Sequence, residues 1–180
     1  MKQYFKKTFF LIIFILIFSI PVLARIGDFE IQSKVRYGDP LEKYALDKIS
    51  PILSEVPKSF TKTYKYDGWN IRAAYYKGKT IRIQYSKMNG KPILLDEIKA
   101  ILGAEANGKK WKNYPLTSNI LTKIQDSIKY KNKWINENGN VAYIHGGRSI
   151  LTIDSPLVKQ LIQQKNKAKE TKRKSNIPKF

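Results

Sequence analysis

The side chains that could carry out chemistry are few in this chain of 180 residues. It has one histidine, His145, and no cysteine, so it offers neither a thiolate nucleophile nor the usual Cys and His ligands of zinc. His145 stands directly before Gly146-Gly147, a pair typical of a hairpin turn, and we interpret it as an exposed residue beside that turn. The sequence therefore predicts no catalytic residue, no metal and no cofactor.

The acidic side chains do not match the pattern for glycoside hydrolysis, which needs one carboxylic acid kept protonated near an ionised one. Asp96 and Glu97 are adjacent, but they open a predicted helix, where acidic residues cap the first turn and offset the helix dipole. Glu137 and Asp154 belong to no motif. A secreted hydrolase with acids gathered near His145 is kept as a third hypothesis.

Positive charge is the feature that indicates a partner. The chain has 34 basic and 14 acidic side chains and a net charge of +20, which attracts anionic polymers or an acidic protein surface. Only six of the basic residues are arginine, the side chain that best makes paired contacts with phosphate and guanine. The composition therefore argues against a specific nucleic-acid reader. The alternative, that the lysines reflect only base composition and solubility, stays open.

Two groups of residues are candidate binding sites. The first combines cations with an aromatic ring on the predicted outward face of one hairpin, at Arg72, Tyr76 and Arg82. The second is a basic tail, whose members are Lys165, Lys167, Lys169, Lys172, Arg173 and Lys174. Three tryptophans could instead form a platform for carbohydrate or peptide, but we favour buried or half-buried positions for such large rings.

The N-terminal segment has the three-part pattern of a secretory signal peptide. Three lysines precede an apolar run over residues 9–20, and residues 21–24 end in small side chains suited to cleavage. An uncleaved anchor is the alternative, but the apolar segment is shorter than the roughly 20 residues that a spanning helix needs. We expect cleavage near Ala24 and an exported protein, periplasmic or secreted. Loss of those three lysines leaves a mature net charge of +17.

After residue 24 the chain shows the same order of elements twice. The first copy has helices beginning at Asp28 and over residues 41–49, then strands at 61–66, 70–76 and 80–85. The second has helices opening at Asp96 and near Ser118, then strands at 130–135, 141–145 and 149–153. We predict an α+β protein with a tandem duplication of a helix-helix-three-strand unit, over residues 25–90 and 91–155.

The register of the first hairpin follows from its side chains. A three-residue loop over residues 77–79 pairs Tyr76 with Thr80 and gives the two strands a shared apolar face. A two-residue loop would set Arg72 on that face and bury its charge without a partner. We therefore predict the three-residue loop, which leaves Arg72, Tyr76 and Arg82 facing outward.

The last segment, residues 156–180, combines a docking helix with a tail. Ser155-Pro156 suits a helix start, and Leu157, Val158, Leu161 and Ile162 form an apolar stripe. The apolar pattern stops beyond Gln164. We predict a fraying helix end followed by a solvated basic tail.

Two short helices and an antiparallel sheet, repeated after a signal peptide, resemble the fold of β-lactamase-inhibitory proteins and of the SmpA/OmlA kind of outer-membrane-assembly lipoprotein. Arg25-Ile26-Gly27-Asp28 with Arg36-Tyr37-Gly38-Asp39-Pro40 resembles the start of uncharacterised exported bacterial proteins. The resemblance implies protein binding or scaffolding of envelope complexes, without a catalytic residue. Unlike the lipoproteins, this chain has no cysteine for lipid attachment.

The leading hypothesis is a non-enzymatic, exported binding or scaffold protein that presents the hairpin face to a protein or another component of the bacterial envelope. The alternative is a cationic binder that holds an anionic polymer (glycolipid, cell-wall polymer or nucleic acid) through the tail. Neither hypothesis needs a cofactor. Contact with a membrane is expected only through the signal segment before cleavage.

Overall fold

A computed structural model describes residues 25–44, 59–106, 108–114, 132–145 and 147–175 of the chain. Within these ranges the protein is α+β, as predicted, with three helices and one antiparallel sheet of eight strands. The helices are α1 (Glu30–Tyr37), α2 (Leu95–Glu105) and α3 (Pro156–Ser175). The strands are β1 (Glu42–Tyr44), β2 (Ser59–Tyr66), β3 (Trp69–Tyr76), β4 (Lys79–Lys87), β5 (Trp111–Asn113), β6 (Lys133–Asn136), β7 (Val141–His145) and β8 (Ile150–Asp154).

The sheet consists of two meanders that meet at their last strands. Its order is β1-β2-β3-β4-β8-β7-β6-β5. At the junction β4 pairs with β8, and Ile83 lies opposite Ile153. Helix α1 precedes the first meander and α2 precedes the second. No described helix is both long and apolar enough to cross a membrane.

The predicted helix over residues 41–49 is wrong where it can be compared, because Glu42–Tyr44 is strand β1. The Leu41 amide donates to the Thr63 carbonyl at 2.8 Å, so the chain is held against β2 as an added strand. Pairing with a neighbouring strand overrides the helical pattern here. With β1 and β5, each meander has four strands where three were predicted. The predicted signal segment, the rest of that predicted helix and the helix predicted near Ser118 lie outside the described residues.

The predicted loop of the first hairpin is also wrong. Lys77 and Gly78 have φ angles of 50° and 79°, as a two-residue type I′ turn requires, and Tyr76 pairs with Lys79. The register then shifts at a bulge, because Tyr75 pairs with Thr80 while Ala74 pairs with Arg82. Beyond the bulge the predicted register holds. A two-residue turn is thus compatible with the predicted apolar face.

Helices α1 and α2 cover one face of the sheet. The buried core on this face includes Tyr64, Ile71, Ile83, Leu151 and Ile153 from the strands, with Tyr37, Ile98 and Leu102 from the helices. The two helices differ in the apolar residues they bury: Ile98 and Leu102 of α2 are buried, whereas Ile31 and Val35 of α1 are 64% and 76% exposed. Helix α1 turns its other side inward because the Tyr37 hydroxyl hydrogen-bonds the Tyr85 hydroxyl at 3.0 Å.

Helix α3 packs on the opposite face of the sheet. Val158 and Leu161 lie against Ala74 and Ile81 there, which confirms the predicted docking stripe. This small second core is built around the bulge, so the bulge positions α3 on the first meander.

Candidate functional site

Arg82 lies in a buried ion pair. Its Nε donates to Asp154 Oδ1 at 2.5 Å and its Nη2 to Asp154 Oδ2 at 2.7 Å, across the junction of β4 and β8. The two side chains are only 8% and 15% exposed. The predicted outward position of Arg82 is therefore wrong, because a carboxylate on the neighbouring strand takes up the guanidinium by a paired contact.

Tyr143 extends this ion pair into a small polar cluster. Its hydroxyl donates to Asp154 Oδ2 at 3.3 Å and accepts from Arg82 Nη2 at 3.5 Å. Burial, with the Asp154 carboxylate in addition, raises the pKa of Tyr143 to about 12. The hydroxyl therefore stays protonated at neutral pH and serves to hold the ion pair.

His145 lies next to this cluster and contacts a hydroxyl. Its Nε2 is 2.8 Å from Thr152 Oγ1, which also accepts a hydrogen bond from Gln84 Nε2 at 3.2 Å. Burial, together with the Arg82 guanidinium, lowers the pKa of His145. Thr152 is fully buried, so its hydroxyl is not exposed to solvent.

The structure does not unite Arg72, Tyr76 and Arg82 in one open surface. Arg72 is exposed on β3, but Ala74 between it and Tyr76 is buried under α3. Tyr76 is half-buried, and the Lys77 ammonium lies 5.4 Å from the centre of its ring. Of the predicted sheet face, only Arg72 is available as an exposed cation.

The basic tail is a helix for most of its length. Helix α3 continues to Ser175, and residues 166–174 are all exposed, whereas Lys165 is half-buried. Five of these nine residues are basic, and Glu170 is the one acid among them. Glu170 pairs with Lys174 at 2.9 Å. The cations near the end also suit the negative end of the helix dipole.

An aromatic pocket of about 200 Å³ opens beside α2, on the sheet face opposite α3. Its residues come from α1, α2, the turn between β2 and β3, and the strands beneath. They are Tyr37, Tyr66, Asp67, Trp69, Ile71, Tyr85, Ala100, Ile101 and Ala104. The predicted half-buried position of Trp69 is confirmed, as are those of Trp111 and Trp134. Among the described residues, no group of three or more His, Asp or Glu side chains could hold a metal ion.

Glu105, at the end of α2, lies buried next to this pocket's floor. The Tyr85 hydroxyl donates to Glu105 Oε1 at 2.6 Å, and Glu105 is 4% exposed. Burial raises its pKa to about 8, against the opposing effect of the Tyr85 hydrogen bond. The residue was not singled out from the sequence. A signal existed, because Glu105 follows Ile98 and Leu102 at the spacing of one helix face.

No family model, no curated protein and no solved structure matches the chain. The resemblance to β-lactamase-inhibitory proteins and to the assembly lipoproteins therefore stays a prediction.

Proposed function

We propose that this is a non-enzymatic, exported binding protein of the bacterial envelope, and that the basic half of α3 holds an anionic polymer such as phosphate-rich glycolipid. The observation that carries the proposal is the run of exposed residues 166–174, which bears five cations on a helix. A charged helix fixed to a folded body presents its cations at lower entropic cost than a flexible tail does.

The packing of α3 supports this proposal, because the two halves of the helix differ in burial. Val158 and Leu161 attach the start of the helix to the sheet, and the basic half follows without another buried residue. Binding and folding therefore use separate parts of one helix.

We also propose, as the origin of the scaffold, a tandem duplication. The two meanders of four strands, each preceded by a helix and joined at the last strands, support that origin.

The test is a salt titration of binding to lipopolysaccharide. Binding should weaken steeply with salt, because each neutralised phosphate releases counterions. Changing Lys167, Lys172 and Arg173 together to Gln should weaken binding at least tenfold and reduce the salt slope by about two to three. Truncation after Gln164 should abolish binding and leave the melting temperature nearly unchanged, since the docking residues remain.

A matched control removes three exposed lysines from the body, with Lys91, Lys110 and Lys112 changed to Gln. It has the same change in net charge, so equal losses in the two triple variants would overturn the assignment to α3. Arg72→Gln tests the sheet face in the same titration. A larger loss from that single change than from the α3 variant would favour the sheet face instead.

A further inference from the structure

The aromatic pocket beside α2 has an unusual wall for a strongly basic protein. Four of its nine lining residues are aromatic, namely Tyr37, Tyr66, Trp69 and Tyr85. Its volume of about 200 Å³ is below that of pockets for drug-sized ligands. It exceeds the roughly 150 Å³ of an engineered cavity that accepts benzene. The space therefore suits one compact group.

The rings of the pocket lie at steep angles to one another. The planes of Tyr37 and Tyr66 meet at 60°, and those of Trp69 and Tyr85 at 84°. Rings set this way present faces and edges in several directions around the space, whereas parallel rings would form a slot for a flat ligand. Ring faces carry negative electrostatic potential, which attracts a cation.

Asp67 adds a carboxylate to the pocket, and it differs from the other described acids in its lack of a partner. It occupies the turn between β2 and β3 with φ 45° and is exposed. Among acidic residues with described side chains, Asp67 has no ion pair or hydrogen bond, whereas Glu105 accepts from Tyr85 and the others pair with Lys or Arg. In a chain with 34 basic residues, an unpaired carboxylate at an aromatic pocket marks a place for an external cation.

Trp69 already has an ammonium group beside one of its rings. The Lys87 Nζ lies 6.0 Å from the centre of a Trp69 ring and is held there by Glu97 at 2.7 Å. Lys87 is not among the residues that line the pocket. The pocket therefore remains accessible to a second cation.

We propose that this pocket binds the alkylated ammonium group of a small organic cation, with the aromatic rings around the group and the Asp67 carboxylate beside it. A primary ammonium would need several hydrogen-bond acceptors, and in the mostly apolar wall Asp67 is the one carboxylate among the lining residues. A quaternary ammonium has no N–H and needs none, so choline is the appropriate probe. The site is separate from α3, whose docking residues Val158 and Leu161 pack on the opposite face of the sheet and do not line the pocket.

The experiment compares choline with 3,3-dimethylbutan-1-ol, a neutral molecule of nearly the same shape in which carbon replaces nitrogen. Both are titrated into the purified protein, and the Trp69 indole N–H signal is followed by NMR after assignment with Trp69→Phe. We expect choline to bind at least fivefold more tightly than the alcohol. Equal or tighter binding of the alcohol would show a merely apolar pocket, and binding of neither would show no site; both results overturn the proposal.

Two variants locate the interaction. Asp67→Asn suits the positive φ of the turn and should weaken choline about threefold to tenfold while leaving the alcohol unchanged. Tyr66→Leu, at a side chain that is 45% exposed, should also weaken choline selectively. Glu170→Gln is the matched control, because it removes one exposed acid that does not line the pocket and should change neither ligand. If Asp67→Asn binds choline like the parent, the carboxylate has no role and the proposed site is wrong.

Discussion

Replacing Glu105 by Gln should stabilise the protein at neutral pH and remove part of its pH dependence. Glu105 is buried, and its Oε1 accepts from the Tyr85 hydroxyl at 2.6 Å. The groups that influence it are Tyr85 on β4, Arg36 on α1, the Asp28 carboxylate and the Ile26 backbone amide. Gln keeps an acceptor for Tyr85 and matches the shape of the neutral acid.

The sign of the effect follows from the raised pKa. In the folded protein the pKa of Glu105 is about 8, against an ordinary value of 4.5. Below pH 4.5 the carboxyl is protonated in both states and contributes no difference. As the pH rises, the unfolded state ionises while the folded state stays protonated, so the free energy of unfolding falls until about pH 8.

The expected gain in the free energy of unfolding is a sizeable part of the 5–15 kcal/mol by which a typical domain is stable. One pKa unit corresponds to about 1.4 kcal/mol, so the interval between pH 4.5 and 7 costs roughly 3 kcal/mol. Glu105→Gln should therefore resemble the parent near pH 4.5 and exceed its free energy of unfolding by roughly 3 kcal/mol at pH 7.

The assay is urea unfolding of parent and variant at a series of pH values between about 3 and 8, followed by tryptophan fluorescence. Glu97→Gln is a control of opposite sign. The Lys87 ion pair lowers the pKa of Glu97, so this variant should be the less stable one at pH 7, and the difference should fade as the pH falls below 4.5. Parallel curves for the parent and Glu105→Gln would refute the reasoning about Glu105.

Two further predictions concern the cluster at the junction of β4 and β8. Arg82→Leu should lower the free energy of unfolding by about 3–5 kcal/mol because it leaves the Asp154 carboxylate buried without a cation, and adding Asp154→Leu should recover most of the loss. Urea unfolding of both variants checks this, and an additive loss in the double variant would contradict it. His145, the single histidine, should titrate in proton NMR with a midpoint below 6.5, because burial and Arg82 disfavour its charged form. A midpoint at or above 6.5 would contradict its position beside Arg82.

Much of the sheet could be predicted from the sequence, because its strands alternate and its turns carry glycine. The predicted β7 over residues 141–145 agrees at both ends, and α3 begins at the predicted Pro156. The predicted three-residue loop of the first hairpin was wrong, because that prediction assumed an unbroken register between β3 and β4. A bulge supplies the missing residue and keeps Arg72 off the apolar face.

The candidate sites were harder to predict, because their partners lie far apart in the chain. Arg82 and Asp154 are 72 residues apart, and nothing local to either residue indicates the ion pair. Likewise Asp67 looks like an ordinary turn residue until α2 and the C-terminal end of α1 complete the pocket around it. The basic tail could be predicted because its charge is contiguous in sequence.

The junction of the two meanders also determines the order in which the chain can complete its sheet. Strand β4 (Lys79–Lys87) has no partner on one side until β8 (Ile150–Asp154) has been synthesised and has paired with it. Until then its unpaired edge, with Ile83 and Tyr85 near the middle, is a template for pairing with other chains. Long-range pairing of this kind is slow to form. At high concentration the chain should therefore be most prone to aggregate after the first meander has formed and before β8 pairs with β4.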